Sequence, residues 1–421
     1  MALESSRHAD TSAQAQSPLA GVVVIDLTIA LAGPYATQLL AGLGATVIKV
    51  ENPSGGDPAR ENAPYYGSGG LRIVRGGDDD MSLSMLERGR NKLSVTLNLK
   101  HPRSRDVFAD LVRRADVVVE NFSAGTADRL GVGYAFAASV QPEIIYTSIS
   151  GFGAGDARKG MDTIFQALSG MMMMAGREGD PPVRSGIPFG DLTGPLFAVI
   201  GTLSALLLRA RTGRGQHVDV SLLGALTAVA ASEPWGTLER AEIPMRTGNT
   251  VPRLAPFGIF STLDGHVALC APTDIFAQGV FAALDRPALG KDTRFSTRDG
   301  RVANAAALHA EIEHWSSALT SAAAVAALEA QGVPVAIVRG HDEAITDPRV
   351  IARGETSPLS HPTLGPIDGL YGSGLPIRFS EASVGYDRPA PRLGEQNEFV
   401  YGNLLGYDAA KLMSLGQHGV V

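Results

Sequence analysis

One carboxylate in this sequence stands in surroundings that suit a nucleophile. Asp191 occurs in a glycine- and proline-flanked turn, SGIPFGDLTGP, directly before a long apolar run. Such a turn at the mouth of a buried helix can present an acid to a ligand while the helix anchors it. Pro195 suits the first position of a helix, which predicts a cap at Gly194 and leaves Asp191 in the preceding turn. The alternative is that Asp191 helps to cap the helix, which is the commoner role of an aspartate at such a place.

Composition is that of an ordinary folded protein. The chain has 421 residues, which is long for one hydrophobic core, so two domains are expected. Its net charge of -7 argues against a general nucleic-acid binder, whose surface would be basic. The single cysteine, Cys270, excludes an internal disulfide framework and fits a reducing compartment. No HExxH or CxxC motif occurs, so no metal site is predicted.

Two segments bear on where the protein works. Residues 1–17 are small and polar, without the apolar core of a signal peptide, and are predicted to form a disordered tail. Residues 192–208 are the only membrane candidate, at the lower limit of about 17 residues, and glycine, proline, threonine and serine interrupt them. A helix inside a large domain explains this run better. These observations predict a cytoplasmic protein without a membrane partner.

The first half of the chain alternates strands and helices. Residues 21–27 (GVVVIDL) and 45–51 (ATVIKVE) are typical of strands buried on both faces, and residues 32–43 between them have helical spacing. Strand, helix and strand over about 30 residues predict parallel pairing. Gly42 and Gly44 follow a helix rather than open one, so they do not form a dinucleotide fingerprint. Further strand-like runs extend one open sheet covered by helices; they span residues 93–99, 116–120 and 143–150.

The regular alternation of strands and helices ends near residue 225. Loop-rich segments, two strand-like runs around a turn, and alanine-rich helices indicate a smaller α+β domain. The end of the chain has short segments and no clear core of its own, so it is expected to pack against the other domains. The predicted organisation is a tail (1–17), the first part of a large α/β domain (18–225), a small α+β domain (226–345) and a return segment completing the large domain (346–421).

Several longer stretches occur in a characteristic order and spacing. They include VIDLTIALAGPYATQLLAGLGATVIKVENPSGGDPAR, RNKLSVTLNLKHP, ADVVVENFSAGTADRLGVGY, QPEIIYTSISGFG and GDLTGPLFAVIGTLSALLLRARTGRGQHVDVSL. Together they resemble the family III CoA-transferases, also called the formyl-CoA transferase, carnitine-CoA-transferase or CaiB/BaiF-type family. The resemblance implies a Rossmann-like large domain built from both chain ends, a small α+β domain, and a homodimer whose subunits interlock like rings.

The resemblance also implies roles for residues. The family nucleophile is the aspartate of its GD turn, which corresponds to Asp191. Arg129 aligns with a family arginine near the CoA phosphates, and a guanidinium forms paired, directional bonds to phosphate oxygens. Leu31 stands where some members have glutamine, which makes that side of the acyl pocket less polar. The remaining implied positions are Leu97, Lys100, Asn121, Phe122 and Lys159 for CoA, Gly190, Gly248 and Asn249 for an oxyanion or covering loop, and Asp162 with Leu31 for the acyl pocket.

The implied activity is transfer of CoA from an acyl-CoA to a free carboxylic acid. Succinyl-CoA or another dicarboxylyl-CoA is the expected donor, and Asp191 would pass through an anhydride and an aspartyl–CoA thioester. The CoA thioester is a substrate, and no permanently bound cofactor is expected. One alternative is a 2-methylacyl-CoA racemase, for which Asp162 has a counterpart but the partner histidine is missing from GFGAGDARKG. A second alternative is a non-catalytic CoA-binding protein of the same fold.

Overall fold

The computed structural model describes residues 17–421, so the predicted tail, apart from residue 17, lies outside the described residues. Within them the strands, in chain order, are β1 (Val23–Asp26), β2 (Thr46–Glu51), β3 (Tyr65–Gly67), β4 (Gly70–Arg72), β5 (Met81–Ser82), β6 (Lys92–Thr96), β7 (Val117–Glu120), β8 (Ile145–Ser150), β9 (Gln216–Ser221), β10 (Thr250–Val251), β11 (Leu254–Ser261), β12 (His266–Cys270), β13 (Val335–Ile337), β14 (Thr356–His361) and β15 (Gly365–Ser373).

The α-helices of the same residues are, in chain order, α1 (Ala32–Gly42), α2 (Leu83–Arg88), α3 (Ser104–Val112), α4 (Thr126–Arg129), α5 (Tyr134–Val140), α6 (Asp162–Leu168), α7 (Met171–Met174), α8 (Phe189–Thr212), α9 (Leu222–Ala230), α10 (Trp235–Arg240), α11 (Asp274–Ala283), α12 (Arg298–Ala303), α13 (Ala305–Ser316), α14 (Ser321–Glu329), α15 (His341–Ile345), α16 (Pro348–Ala352) and α17 (Ala409–Gln417). Pro58–Glu61 and Pro287–Lys291 form short 3₁₀ helices, and Glu398–Leu404 forms a π-helix.

Two compact units share the chain. The first contains the described residues up to Ser169 together with Ser185–Val229 and Ile345–Val421. The second contains Gly170–Arg184 and Ala230–Ala344. The first unit is therefore built from both ends of the chain, as the resemblance implied. Residues 170–184 belong to the second unit, whereas the sequence analysis places them in the large domain.

The centre of the first unit is a six-stranded parallel sheet in the order β6-β2-β1-β7-β8-β9. The apolar side chains of β1 and β7 are fully buried, which explains why these strands read as unbroken apolar runs. The chain moves outward from β1 to one edge and then returns to β7 to build the other half. The point where this direction reverses, between β1 and β7, is where open α/β sheets bind ligands, at the carboxyl ends of the strands.

The end of the chain supplies part of the core of the first unit. Val400, Tyr401 and Leu404 of the π-helix are buried against the side chains of the parallel sheet and α3. The Tyr401 hydroxyl donates to the Thr96 carbonyl at 2.7 Å. The last segment therefore has no separate core because its apolar residues complete that of the first unit.

The second unit is an antiparallel sheet in the order β10-β11-β12-β13 with helices packed on it. Its core joins apolar side chains of β11 and β12 to those of α11, α13 and α14. Antiparallel strands with helices gathered on one core correspond to the predicted α+β class.

The helix that carries the candidate nucleophile begins earlier than the sequence predicts. α8 starts at Phe189, so Asp191 lies within its first turn and Pro195 lies inside the helix rather than at its first position. By length and composition alone α8 could cross a membrane. In the first unit, however, it packs on β8, β9 and α1, which is the arrangement of a helix that covers a sheet.

Candidate active site

The start of α8 is held by a carboxylate from another helix. Asp162, the first residue of α6, accepts a hydrogen bond from the Gly190 backbone N–H at 2.7 Å and a longer one from Asp191 N–H at 3.4 Å. Its other oxygen accepts from Gln166 Nε2 at 2.6 Å. The first backbone N–H groups of a helix have no partner within it, and a carboxylate satisfies them well. Asp162 therefore caps α8 from 28 residues away and fixes the turn that carries Asp191.

The carboxylate of Asp191 differs from that of Asp162 because it is left free. Among the described residues it accepts no hydrogen bond and forms no ion pair, although its side chain is half-buried. The pKa of Asp191 is raised from 3.8 to about 6, mainly because the carboxyl is partly buried and also because Asp162 carries a negative charge nearby, while the Arg88 guanidinium opposes the shift. A partly desolvated carboxylate without partners keeps both oxygens available to attack an electrophile.

The loops after β1 and β7 meet at the switch point of the sheet. Asn121 accepts a hydrogen bond from Ile29 N–H and donates one to the Ile29 carbonyl, both at 2.8 Å. The next residue, Ala30, has φ 66°, a conformation that residues with a side chain seldom adopt. The sequence analysis places Asn121 along the pantetheine arm of CoA. In this structure its amide is instead used to hold the β1 loop.

Buried charged residues also hold the loop that follows β1. Lys49 Nζ lies 2.8 Å from Asp57 Oδ2 and donates to the Thr28 carbonyl at 2.9 Å, and Asp57 Oδ1 accepts from Ala30 N–H. Behind them the ion pair of Lys92 Nζ and Asp26 Oδ2, at 3.0 Å, is wholly buried. Burial alone would raise the pKa of the Asp26 carboxyl, but Lys92 and Lys49 hold it well below its usual range.

Two of the predicted CoA-binding residues contribute mainly to packing. Leu97 is only 1% exposed and belongs to the core of the first unit, so its side chain is not available to an adenine ring. Its backbone N–H donates to the Glu51 carbonyl at 2.7 Å. Phe122 is half-buried against the same core and lies beside Asn121 at the carboxyl end of β7, where its ring borders a small cavity of about 90 Å³.

Three predicted cationic contacts are exposed. Arg129 ends α4 and donates to the Thr126 hydroxyl at 2.6 Å, which leaves other guanidinium N–H groups open to solvent. Lys100 and Lys159 are exposed on loops of the first unit. Their positions are compatible with solvent-side contacts to a phosphorylated ligand, and their roles stay predictions.

The oxyanion and acyl-pocket candidates divide between the two units. The Gly190 N–H already donates to Asp162, so in this structure it is not available to an oxyanion. Leu31 is half-buried immediately before α1 in the first unit. Gly248 and Asn249 lie in the second unit, where Gly248 N–H donates to the Gly176 carbonyl and the Asn249 carbonyl accepts from the second strand of its sheet. Their predicted role near the nucleophile remains a prediction.

The sequence analysis missed the residues that support the site. Lys49, Asp57 and Lys92 were not selected, although Lys49 stands inside an otherwise apolar strand, ATVIKVE. A charged residue in a strand buried on both faces needs a partner of opposite charge. That rule could have found Lys49, but it could not have identified Asp57 as the partner.

The fold and the site define a doubly wound α/β protein with a free carboxylate at the start of a core helix. The model of the family described as CoA-transferase family III matches residues 19–397. The chain therefore belongs to CoA-transferase family III, and it is an enzyme of the CoA-transferase class.

Named relatives support this assignment along nearly the whole chain. The chain is 36% identical to acetyl-CoA:oxalate CoA-transferase of Acetobacter aceti, covering 92% of this chain and 95% of the relative. It is 36% identical to succinyl-CoA:mesaconate CoA-transferase of Haloarcula marismortui, covering 88% and 92%. A crystal structure of a CaiB/BaiF family protein from Brucella suis is similar, with a TM-score of 0.79, 33% identity, and coverage of 92% of this chain and all of the other.

Proposed function

We propose that the enzyme moves CoA from succinyl-CoA or another dicarboxylyl-CoA to a free carboxylic acid, with Asp191 as the nucleophile. The observation that carries the proposal is the free, half-buried Asp191 carboxylate at the start of α8, with its pKa raised to about 6. The relatives that act with oxalate and mesaconate support a dicarboxylic acid as substrate.

The first half of the reaction moves CoA onto the enzyme. An Asp191 oxygen attacks the thioester carbonyl carbon, the carbon–sulfur bond breaks, and CoA leaves as a thiolate with the electron pair. The product is an anhydride between the acyl group and Asp191. The thiolate then attacks the Asp191 carbonyl carbon, and the carbon–oxygen bond to the acyl group breaks. The first acid departs as a carboxylate and leaves an aspartyl–CoA thioester.

The second half repeats these steps in reverse with a different acid. The acceptor carboxylate attacks the aspartyl–CoA carbonyl carbon and displaces the thiolate, which forms a new anhydride. The thiolate attacks the acceptor carbonyl carbon and restores the Asp191 carboxylate. No proton is gained or lost in the cycle, so the nucleophile must be ionised at the start. An alcohol or amine in place of Asp191 would form an ester or amide too stable to pass the group on.

The environment of Asp191 fits this task. Its partial desolvation destabilises the charged carboxylate, which makes attack more favourable, while the N-terminal position in α8 supplies a positive end of the helix dipole. Asp162 already occupies the Gly190 N–H, so the developing oxyanions require another donor. The Gly248 N–H is likewise occupied, by the Gly176 carbonyl, so the neighbouring Asn249 is our candidate for that donor.

CoA binds, in this proposal, along the carboxyl edge of the parallel sheet. Arg129 and Lys100 contact the phosphates and the adenosine end, Lys159 lies nearer the reacting carbon, and Phe122 borders the pantetheine arm. Leu97 contributes through its backbone, since its side chain is buried. Asn121 acts indirectly by holding Ile29.

A second copy of the chain is the proposed partner. One side of α8 exposes large apolar residues whose spacing, with pairs three, four and seven positions apart, places them on one face of the helix, and a soluble monomer seldom leaves such a face uncovered; they are Leu196, Phe197, Ile200, Leu207 and Leu208. We propose that this side of α8 packs against the second subunit of an interlocked homodimer. Light scattering should give twice the mass of one chain; a monomer at micromolar concentration would contradict the proposal. Cytoplasmic location, the lack of a permanent cofactor, and the lack of nucleic-acid or membrane partners remain predictions.

The test of the activity combines transfer with detection of the intermediate. Enzyme, succinyl-CoA and a panel of free carboxylic acids are incubated, and new CoA thioesters are identified by mass spectrometry. Intact-protein mass spectrometry after an acid quench should show one CoA adduct on the wild type and none on Asp191→Ala. Transfer that persists in Asp191→Ala would refute the proposed nucleophile. Deuterium uptake at the α-carbon of a branched acyl-CoA, without transfer, would refute the transferase reaction itself.

A further inference from the structure

Arg88 is a half-buried arginine without a partner in the described part of the chain. It is the last residue of α2, and its Nε is buried without a hydrogen-bond acceptor. Among residues 17–421 its guanidinium makes no hydrogen bond and no ion pair. Burial lowers the pKa of Arg88, but an arginine stays charged at neutral pH. A partly desolvated, unpaired cation costs stability, and a ligand that pairs with Arg88 would remove that cost.

Three further arginines among the described residues that are buried or half-buried are all paired. Arg60 binds both oxygens of Glu51 at 2.7 Å, Arg90 contacts Glu87 and Ser357, and Arg301 donates to Asp274 and to backbone carbonyls. These guanidinium groups therefore hold the fold together. Arg88 differs from them because nothing in the described part of the chain occupies its donors.

Its position relates Arg88 to the nucleophile. Gln38 of α1 donates from Nε2 to the Glu87 carbonyl at 3.0 Å, and this hydrogen bond attaches the end of α2 to α1. The helix that carries Asp191, α8, also packs on α1. Arg88 lies close enough to Asp191 for the two charges to influence each other, but they do not form an ion pair. The Arg88 guanidinium and the Asp191 carboxylate both belong to the first unit, and within its described residues neither is paired, so both remain available to a ligand.

We propose that Arg88 binds the distal carboxylate of a dicarboxylic substrate, the end that does not react with Asp191. This inference rests on the proposed function of Asp191. A guanidinium makes paired, charge-assisted hydrogen bonds to a carboxylate. The CoA phosphates are excluded as its ligand because they lie the whole length of the pantetheine arm from the reacting carbon. An acyl group that ends in a methyl would leave Arg88 unpaired, so the enzyme discriminates against it.

The test uses degenerate exchange, in which donor and acceptor carry the same acid. One reaction contains succinyl-CoA and ¹³C-labelled succinate; the other contains butyryl-CoA and ¹³C-labelled butyrate, which replaces the distal carboxylate by a methyl. Label entering the CoA thioester is followed by mass spectrometry for wild type, Arg88→Met and Arg88→Lys. Arg113→Met is the matched control, because Arg113 is exposed and its ion pair, with Asp110, lies outside the proposed site.

Arg88→Met should lower kcat/KM for succinate exchange by about 10- to 100-fold, the usual effect of losing a charge-assisted hydrogen bond, and change butyrate exchange less than about threefold. Arg88→Lys, which keeps the charge, should fall between wild type and Arg88→Met, and Arg113→Met should match wild type. Equal losses with both acids in Arg88→Met would show a structural or oxyanion role and overturn the inference while leaving Asp191 in place. Exchange by Asp191→Asn would instead overturn the proposed function.

Discussion

Asp191 should weaken the fold at the pH at which it is most reactive, and Asp191→Asn should remove that cost. The pKa of Asp191 is raised from 3.8 to about 6, mainly by burial. At about 1.4 kcal/mol per pKa unit, this difference corresponds to about 3 kcal/mol. Because the side chain is partly exposed, solvent screening reduces the expected effect to about 1–2 kcal/mol. Asparagine has nearly the same shape and no charge.

The sign of the effect depends on pH. A carboxyl whose pKa is raised by folding costs nothing below pH 3.8, where it is protonated in both states, and its full cost is present above about pH 6. Asp191→Asn should therefore be more stable than wild type at pH 8, by about half as much at pH 5, and equal to it near pH 4.

Thermal unfolding monitored by calorimetry at these three pH values measures the difference. For a chain of this length, about 1–2 kcal/mol corresponds to a rise in Tm of about 1–2 °C. The same variant should show no CoA transfer, so that stability rises as activity is lost. A Tm at pH 8 equal to or below that of wild type would refute the reasoning, because the carboxylate would then not be destabilised by its site.

Three further predictions concern the groups around Asp191. Asp162→Asn removes a neighbouring charge and should lower the pKa of Asp191 to between 3.8 and about 6, moving the acid limb of kcat/KM to lower pH; an unmoved limb would contradict it. Lys92→Met leaves Asp26 buried without its ion-pair partner and should cost about 3–5 kcal/mol in denaturant unfolding; a loss below about 1 kcal/mol would show that the pair is dispensable. Asn121→Ala removes both hydrogen bonds to the β1 loop and should raise KM for acyl-CoA up to about tenfold, with Tm nearly unchanged. Unchanged KM would exclude its positioning role.

The sheet of the first unit could be predicted because its information is local. In β1 and β2 every apolar side chain is used in the core, so the strands read directly as apolar runs separated by a helical period. Parallel pairing and the doubly wound arrangement then follow from the short connections. The return segment could be predicted to pack on the large domain only because it lacks a core of its own. Its actual contacts could not be predicted, because residues such as Tyr401 and Thr96, which form a hydrogen bond, are 305 positions apart in the sequence.

The start of α8 could not be predicted from its own residues. A proline normally marks the first turn of a helix because it has no N–H to leave unpaired. Here α8 extends six residues before Pro195, and Asp162 of another helix accepts from two N–H groups of that extension, those of Gly190 and Asp191. The preference of proline for the first turn is valid, but it could not show that Asp162, which is distant in the sequence, caps an earlier start of α8. As a result Asp191 lies inside the helix, not in the preceding turn.

The same limit explains why Asp191 could be selected from the sequence as a candidate nucleophile, whereas Arg88 and Asp57 could not be selected and the capping contact of Asp162 with α8 could not be located. Asp191 belongs to a short continuous motif, GDLTGP. The roles of Asp162, Arg88 and Asp57 depend on contacts between segments that are distant in the sequence. Asp162 and Arg88 have opposite effects on the pKa of Asp191, and burial sets the shift that both modify. Asp162 caps α8, whereas Arg88 has no partner in the part of the chain that the structure describes, so the two groups are not equivalent. Asp162 holds the turn that carries Asp191, and in our proposal the Arg88 guanidinium binds the substrate. A dicarboxylate that pairs with Arg88 would offset the positive charge that lowers the pKa of Asp191, so that pKa would rise when the substrate binds. In our proposal, recognition of the distal carboxylate is therefore linked to the reactivity of Asp191.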